Sequence, residues 1–219
     1  MKRVVLGLAI LIVFWSSAAR ATAIFTPGNH PQLNEENILL NTGTSGATVT
    51  GMTQQSNLTV NFSSTTDLLT EPSNGQARIK ALVGLINNIT VSVPGGFFED
   101  LIINPLCPPG SGGCGSATVS TVSNEPGGGT LTQTFTYTLG NGQNFLTITT
   151  SGGETLASVT IDDGTGFGDL RQPRISGAAL NGGGGGGGSQ VPEPSSVILL
   201  SSGLVGLVLW GRKKLQAQK

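Results

Sequence analysis

Residues 131–139 read Leu-Thr-Gln-Thr-Phe-Thr-Tyr-Thr-Leu, and the alternation within this stretch decides the fold class. Phe135, Tyr137 and Leu139 alternate with threonines at positions 132, 134, 136 and 138. A period of two places the apolar side chains on one face of a β-strand and the polar side chains on the other. Residues 57–62, which read Asn-Leu-Thr-Val-Asn-Phe, repeat the pattern. Both stretches therefore predict strands with one dry face and one wet face.

The composition favours strands and turns throughout the central part of the chain. The 219 residues include 34 Gly, 25 Thr and 20 Ser, and only 11% are charged, which is less than half the usual share. Threonine fits the pleated surface of a strand, whereas glycine and serine suit turns. Further strands are predicted at residues 89–93, 98–103, 117–122 and 155–161, while the secondary structure of residues 76–85 is ambiguous.

The segment Gly140-Asn141-Gly142 predicts a tight turn, after which residues 145–150 return along residues 131–139 as a hairpin. Many short strands with one apolar face each need a second sheet to cover them. The sequence therefore predicts the all-β class, with an antiparallel β-sandwich or jelly-roll-like ectodomain over residues 24–180.

The charges of this predicted domain are strongly unbalanced. Residues 24–180 contain eleven acidic residues and four basic residues, giving a net charge of −7, and the basic residues are Arg78, Lys80, Arg171 and Arg174. Because a negative body repels phosphate backbones, we expect no nucleic-acid partner. One His, one Tyr and two Cys leave few side chains for catalysis or metal binding, so we expect neither an enzyme nor a cofactor.

The first 23 residues predict a secretory signal peptide. Lys2 and Arg3 precede the apolar run 4–15, and small residues follow with overlapping A-x-A sites that end at Ala21 and Ala23. Twelve residues rise only about 18 Å as a helix, too short for a stable span. We expect this signal helix to engage the secretion translocon, and signal peptidase to cut after Ala21 or Ala23.

The C-terminal 29 residues, 191–219, combine three features in a fixed order. Val191-Pro192-Glu193-Pro194 is followed by an apolar stretch, 195–210, with nine Leu, Val and Ile, and then by Arg212, Lys213 and Lys214. The apolar stretch predicts a single transmembrane helix, and a basic cluster after such a helix stops transfer and stays in the cytoplasm. Two prolines keep Glu193 extended and free of helix, a shape that a processing enzyme can grip.

This order of Pro-Glu-Pro, short apolar helix and basic end resembles the PEP-CTERM sorting signal of Gram-negative bacteria. The resemblance implies recognition by a membrane-embedded exosortase, removal of the helix near residues 192–194 after a transient membrane anchorage, and delivery of the released domain to the cell surface or extracellular matrix. It also implies an association with exopolysaccharide and biofilm. Residues 169–177 resemble the end of many such ectodomains. The alternative is a one-span protein whose prolines simply start the helix.

Residues 181–190 predict a flexible linker, because Asn181 is followed by seven consecutive glycines and then by Ser189-Gln190. Such a tether has a root-mean-square span of about 16 to 18 Å.

Cys107 and Cys114 flank a loop of Pro, Gly and Ser, and outside the cytosol they predict a disulfide. A metal-binding pair would need two further ligands, and His30 is the only histidine in the sequence.

Two further stretches are candidate ligand sites. Asp162, Asp163 and Asp169 lie in a glycine-rich segment predicted as a loop, and oxygen-rich loops of this kind can hold calcium, although a solvated turn is the commoner explanation. The threonines at 132, 134, 136 and 138, with Thr147 and Thr149 on the expected partner strand, could form a flat hydroxyl array suited to polysaccharide or ice, although threonine often simply fills a wet face.

The sequence thus predicts an exported, exosortase-sorted surface or matrix protein without enzymatic activity, associated with exopolysaccharide or biofilm. The alternative is an extracellular β domain that binds or hydrolyses glycans, and Glu99 or Glu154 paired with an Asp would then be the candidate catalytic carboxylates.

Overall fold

A computed structural model describes residues 22–72 and 77–181. This part of the chain is all-β, as predicted, and it contains no helix that qualifies as a membrane-spanning segment. The first eight strands are β1 Ile24–Pro27, β2 Glu36–Leu39, β3 Ser45–Gly46, β4 Thr48–Thr53, β5 Thr59–Ser63, β6 Leu69–Thr70, β7 Arg78–Ala81 and β8 Ile86–Ser92. The other eight are β9 Gly96–Phe97, β10 Asp100–Leu106, β11 Gly115–Asn124, β12 Thr130–Leu139, β13 Leu146–Thr149, β14 Thr155–Phe167, β15 Asp169–Ser176 and β16 Ala179–Leu180.

Fourteen of the strands form two antiparallel layers that share β2, and β9 and β16 form a separate two-stranded sheet. The first layer runs β1-β13-β10-β15, with β7 also paired to β15, and the second runs β2-β4-β5-β8-β14-β11-β12. Strand β2 pairs with β15 on one side and with β4 on the other, so it joins the layers. The predicted signal and transmembrane helices lie outside the described residues, apart from Thr22 and Ala23.

Aromatic contacts bring the two ends of this strand path together. Phe25 on β1 stacks on Phe135 of β12 with ring centroids 5.2 Å apart, and Phe135 lies 6.4 Å from the ring of Tyr137. The Tyr137 hydroxyl donates a hydrogen bond of 2.8 Å to the carbonyl oxygen of Phe145, and burial raises the pKa of this phenol. The sheet is therefore curled into a barrel-like sandwich, in agreement with the predicted fold class.

The core lies between the two layers. Its largest fully buried side chains include Phe62, Phe98 and Phe167. Fully burying one such side chain contributes about 1.5 to 3 kcal/mol, so the alternating apolar residues supply the main drive for folding. Val60 and Phe62 are buried and Thr59 is exposed, as the alternation in residues 57–62 predicts.

The predicted hairpin of residues 131–139 with 145–150 is wrong. Strand β12 pairs with β11 over ten residue pairs, whereas β13 pairs with β1 and β10 in the other layer. The Asn144 side chain closes the turn by accepting a hydrogen bond from the Gly140 amide and donating to the Gly140 carbonyl, and the Asn144 backbone amide links the turn to the other layer by donating to Oδ1 of Asn104 on β10 at 2.8 Å. The turn therefore closes on itself and carries the chain across the sandwich.

Two other stretches also differ from their predictions, and the structure assigns the ambiguous one. Residues 162–167, predicted as a loop, continue β14 to Phe167 beyond a break in register with β8. The ambiguous stretch 76–85 contains strand β7, and the strand predicted at 98–103 begins at Asp100. In each case pairing with a neighbouring strand supplies backbone hydrogen bonds that local sequence patterns do not reveal.

Asp67 ties the loop between β5 and β6 to the start of β8. Its Oδ2 accepts hydrogen bonds from the backbone amide of Asn87 at 2.8 Å, from that of Asn88 at 3.3 Å and from the Thr66 hydroxyl at 2.7 Å. Burial raises the pKa of Asp67, but these hydrogen bonds together outweigh it, and the net pKa is lowered. Because the pKa of Asp67 is lower in the folded state than in the unfolded state, ionised Asp67 stabilises the fold at pH values above the unfolded pKa. This stabilisation is lost as the pH falls through the folded pKa.

We predict that Asp67→Asn lowers the free energy of unfolding at pH 7 by about 1 kcal/mol, because the backbone amides of Asn87 and Asn88 lose a charged acceptor while solvent screening at the half-exposed Asp67 limits the loss. The deficit should shrink as pH is lowered below the ordinary value of 3.8, where the wild-type carboxylate also protonates. Urea unfolding of the wild type and the variant, at pH 7 and at a pH below 3.8, measures the difference in the free energy of unfolding. Glu99→Gln, at an exposed carboxylate, is the control and should change stability by less than about 0.5 kcal/mol. A loss of stability in Asp67→Asn that does not change with pH would contradict a stabilising role for the ionised Asp67 carboxylate.

Candidate functional site: a hydroxyl-rich sheet face

The outer face of the second layer carries rows of hydroxyl and amide side chains. Directly paired residues on antiparallel strands lie on the same face, so the strand register defines each row. The central row contains one hydroxyl from each of six strands: Thr48, Ser63, Thr90, Thr160, Ser120 and Thr134. The row on one side contains Thr50, Asn61, Ser92, Ser158, Val122 and Thr132, and the row on the other contains Asn88, Asp162, Thr118 and Thr136. We call these three rows the hydroxyl face.

The hydroxyl face is broad and rigid. Six strands at about 4.8 Å spacing make the central row about 24 Å long. Thr90 and Thr160 share a hydrogen bond of 2.8 Å between their hydroxyl oxygens, which ties β8 to β14 on the outer side. Four of the six residues in the central row are threonines, whose χ1 rotation is restricted, so their hydroxyls lose little entropy when they bind. The face can therefore present many hydroxyl groups at once in a fixed arrangement.

The opposite side of the same strands anchors this arrangement in the core. Val91, Val159, Ile161 and Val119 alternate with the outer residues and are fully or almost fully buried. A shift of register by one residue would exchange the hydroxyls with these apolar side chains. Core packing thus holds the hydroxyl face in register.

The hydroxyl face is almost uncharged. Asp162 is the one ionisable residue in its three rows, and its Oδ1 accepts a hydrogen bond from the side-chain amide of Asn88. Each Ser or Thr hydroxyl has one donor and two acceptor positions. The chemistry of the face therefore suits a neutral, hydroxyl-bearing ligand surface rather than a charged one.

The predicted threonine ladder is part of this face, but its predicted partner strand is wrong. The threonines at 132, 134, 136 and 138 are exposed as expected. Thr147 is buried in the other layer, where its hydroxyl donates to the Gly28 carbonyl at 2.9 Å. The actual neighbours are Ser120 and Thr118 on β11. The other five members of the central row could not be predicted from the sequence. Hydroxyl residues recur at alternate positions in several strands, and only the register of strand pairing shows which of these residues lie side by side.

The predicted disulfide between Cys107 and Cys114 is confirmed, with the two Cα atoms 5.4 Å apart. The Cys114 amide donates to the Leu139 carbonyl at 3.0 Å, and the Thr165 hydroxyl donates to the Cys114 carbonyl. The disulfide therefore closes the loop between β10 and β11, and the two hydrogen bonds of Cys114 attach this loop to the ends of β12 and β14.

The structure does not bring the three candidate calcium ligands together. Asp162 is exposed on the hydroxyl face, whereas Asp163 is buried and accepts hydrogen bonds from the amide and hydroxyl of Thr165. Asp169 lies among Arg78, Lys80 and Arg171. Over residues 22–72 and 77–181 no group of three or more His, Cys, Asp or Glu residues could hold a metal ion.

The candidate catalytic carboxylates are also far from an active-site arrangement. Glu154 is 2% exposed, and both carboxylate oxygens are enclosed without a hydrogen-bond partner in the described part of the chain. Glu99 is exposed and follows the buried Phe98. Of four surface clefts formed by described residues, one is lined by a single carboxylate, Asp169, and none by two.

The sorting residues Val191, Pro192, Glu193 and Pro194 and the basic cluster Arg212, Lys213 and Lys214 lie outside the described residues. A family model described as the PEP-CTERM protein-sorting motif matches residues 190–213. The chain is a PEP-CTERM domain-containing protein. This confirms the predicted resemblance, and the PEP-CTERM motif indicates export and exosortase-mediated sorting to the cell surface or extracellular space.

Other comparisons add little to the PEP-CTERM match. No curated protein sequence matches the chain. Similar solved structures include a variant of a family 29 carbohydrate-binding module, with 10% identity, a TM-score of 0.25 and coverage of 72% of this chain and 92% of that chain. Another variant of that module, in complex with mannohexaose, has 12% identity, a TM-score of 0.20 and coverage of 73% and 90%. TM-scores this low do not establish a shared fold, so the ligands of those modules are not transferred to this chain.

We predict that replacing both cysteines, Cys107→Ser with Cys114→Ser, lowers the free energy of unfolding by about 2 kcal/mol, because a constraint on the unfolded chain is removed. Denaturant unfolding measures the loss. Treating the wild type with a reductant should reproduce it, and the same reductant should leave the double variant unchanged. Equal unfolding midpoints for the oxidised wild type and the variant would contradict a stabilising role.

Proposed function

We propose that this protein is a non-enzymatic component of the cell surface or extracellular matrix that adheres to exopolysaccharide through its hydroxyl face. The observation that carries the proposal is the central row of six hydroxyls on six adjacent strands. Export and sorting by the PEP-CTERM motif deliver such a surface to the place where exopolysaccharide accumulates in a biofilm.

The physical basis of adhesion is the sum of many weak contacts. A single hydroxyl hydrogen bond contributes only about 0.5 to 1.5 kcal/mol net, because water competes for the same groups. A rigid array makes several such contacts at once, and the second and later contacts cost little additional entropy. The near absence of charge also keeps the desolvation cost low. A polysaccharide, which presents hydroxyls along its length, matches these requirements.

A binding role rather than hydrolysis is supported by the placement of the carboxylates. Glycoside hydrolysis needs two carboxyl groups that flank the bond to be cut, about 5 to 10 Å apart. Glu154 is enclosed in the core, and Asp169, the carboxylate that lines a described cleft, is already engaged by three cations. Hydrolysis of glycans is therefore the alternative function, and the release of reducing ends would reveal it.

The position of Ala23 supports signal-peptide cleavage after Ala21. Ala23 belongs to the hydrophobic core, and its backbone amide donates a hydrogen bond of 2.6 Å to Oε1 of Gln133. Cleavage after Ala23 would remove a buried residue next to the Phe25 and Phe135 stack. The route we propose is export by the translocon, cleavage by signal peptidase after Ala21, transient anchorage through residues 195–210, and release by exosortase.

We predict that the released protein begins at Thr22 and lacks the apolar segment 195–210. Mass spectrometry of the surface and medium fractions measures both ends. In a strain without exosortase, the form that begins at Thr22 should retain the C-terminal segment and stay with the membrane fraction. An unchanged full-length form in both strains would contradict the sorting route, and an N-terminus at Ile24 would contradict the cleavage site.

We predict that the double variant Thr134→Val with Thr160→Val binds exopolysaccharide from the producing strain about tenfold more weakly, because two hydroxyls of the central row are lost while side-chain shape is kept. Sedimentation of the full chain in non-ionic detergent with the purified polysaccharide measures affinity. Thr42→Val, at an exposed threonine in the loop before β3, is the matched control and should bind like the wild type.

The same incubation distinguishes adhesion from hydrolysis. Release of reducing ends by the wild type would contradict the non-enzymatic role. Equal binding by the double variant and the wild type would contradict the assignment of the hydroxyl face.

A further inference from the structure

Three of the four basic residues in the predicted domain surround one carboxylate in the first layer. Strand β7 pairs with β15 so that Lys80 lies opposite Asp169, and Arg78 lies opposite Arg171. The cluster therefore combines three positive charges with one negative charge, leaving an excess of two positive charges. Outside it, residues 24–180 contain ten carboxylates and one basic residue, Arg174. The cluster is a positive site on an otherwise negative surface.

Two of these cations retain unused hydrogen-bond donors. Arg171 donates to Oδ2 of Asp169 through Nε at 3.1 Å and Nη2 at 2.6 Å. The Nη1 of Arg78 lies 3.9 Å from the same oxygen, and Lys80 Nζ lies 3.7 Å from Oδ1, so both pair only by charge. Among the described residues, neither the Arg78 nor the Lys80 side chain donates a hydrogen bond, and Arg78 Nε is buried without a partner. One Asp carboxylate cannot satisfy three cations.

A cleft of about 770 Å³ opens over this cluster. We call it the basic cleft, and its lining includes Arg78, Lys80, Asp169 and Arg171. Leu82 and Pro108 supply apolar lining, and Pro108 belongs to the loop that the disulfide fixes. The volume falls within the range of small-molecule sites, and a charged group with neighbouring apolar surface suits a ligand that combines an anion with C–H faces.

We propose that the basic cleft binds the carboxylate of an acidic sugar residue in a polysaccharide. Arginine guanidinium groups can bind planar carboxylates through two parallel hydrogen bonds, one to each oxygen. Arg171 instead directs both Nε and Nη2 to one oxygen, Oδ2 of Asp169. A ligand carboxylate would take up the free donors of Arg78 and Lys80 and neutralise part of the excess charge. The surrounding net negative charge disfavours nucleic acids and anionic membranes, which present dense phosphate arrays.

The basic cleft does not depend on the hydroxyl face. Its strands β7 and β15 belong to the first layer, whereas the hydroxyl face belongs to the second. The ionic contribution should also weaken with salt, because the Lys80 and Arg171 side chains are 40% exposed. Loss of one binding activity therefore leaves the other measurable.

The test uses a galacturonate trimer and its methyl ester, which have the same length and differ in charge. Calorimetric titration of the full chain in non-ionic detergent should show binding of the acid trimer at low salt and much weaker binding of the ester, which can contact only the hydroxyl face. Lys80→Gln and Arg171→Gln should each weaken binding about five- to tenfold. Asp169→Asn should strengthen it several-fold, because the competing carboxylate loses its charge. Arg174→Gln, at the fourth cation, is the matched control and should bind like the wild type.

Several outcomes would overturn the proposal. Equal binding of the ester would show that charge is not recognised, and an equal loss in Arg174→Gln would show a general electrostatic effect. Displacement of the trimer by an equal concentration of inorganic phosphate would assign the cleft to phosphate groups instead. If Arg171→Gln does not fold, Lys80→Gln still gives the decisive comparison, because the Lys80 side chain is 40% exposed.

Discussion

The register of β11 between β12 and β14 is the constraint on which the rest of the domain depends. Ten residue pairs join β11 to β12, and a second run joins it to β14. Because side chains alternate between the two faces, one register places Val119 in the core and Ser120 on the outer surface. A slip by one residue would bury Ser120 and expose Val119, although the native register also encloses the hydroxyls of Thr121 and Ser123 without a hydrogen-bond partner among the described residues. The cost of that exchange keeps the core and the hydroxyl face in place together.

The two layers of the sandwich offer different chemistry to the outside. The second layer has a broad face of hydroxyls with one carboxylate in its three rows, and the first layer has a small cleft in which three cations surround Asp169. Neutral hydrogen bonding is weak per contact and insensitive to salt, whereas ion pairing in a cleft is stronger per contact and screened by salt. A protein that adheres to a polysaccharide of mixed composition gains from both kinds of contact.

Export explains several features that do not serve binding directly. A disulfide such as the one in the loop between β10 and β11 is typical of proteins in an oxidising environment. It fixes the loop that borders the basic cleft, so the cleft keeps its shape after the protein leaves the cell. The low content of charged residues in the chain also leaves most surface strands to threonine and serine. Threonine and serine therefore serve two purposes, because they suit β-strands and they also present hydroxyls that can contact a polysaccharide.

The sequence by itself determined the all-β class, the disulfide and the PEP-CTERM signal, because each depends on local patterns: the alternation in residues 131–139, the spacing of Cys107 and Cys114, and the order of features after Val191. It did not determine which strands are neighbours. Strands β12 and β13 have patterns that fit a hairpin equally well, and only the competition among all strands for pairing places them in different layers. The row of six hydroxyls and the cluster of Arg78, Lys80 and Arg171 arise from pairs distant in sequence, so tertiary structure alone decided them.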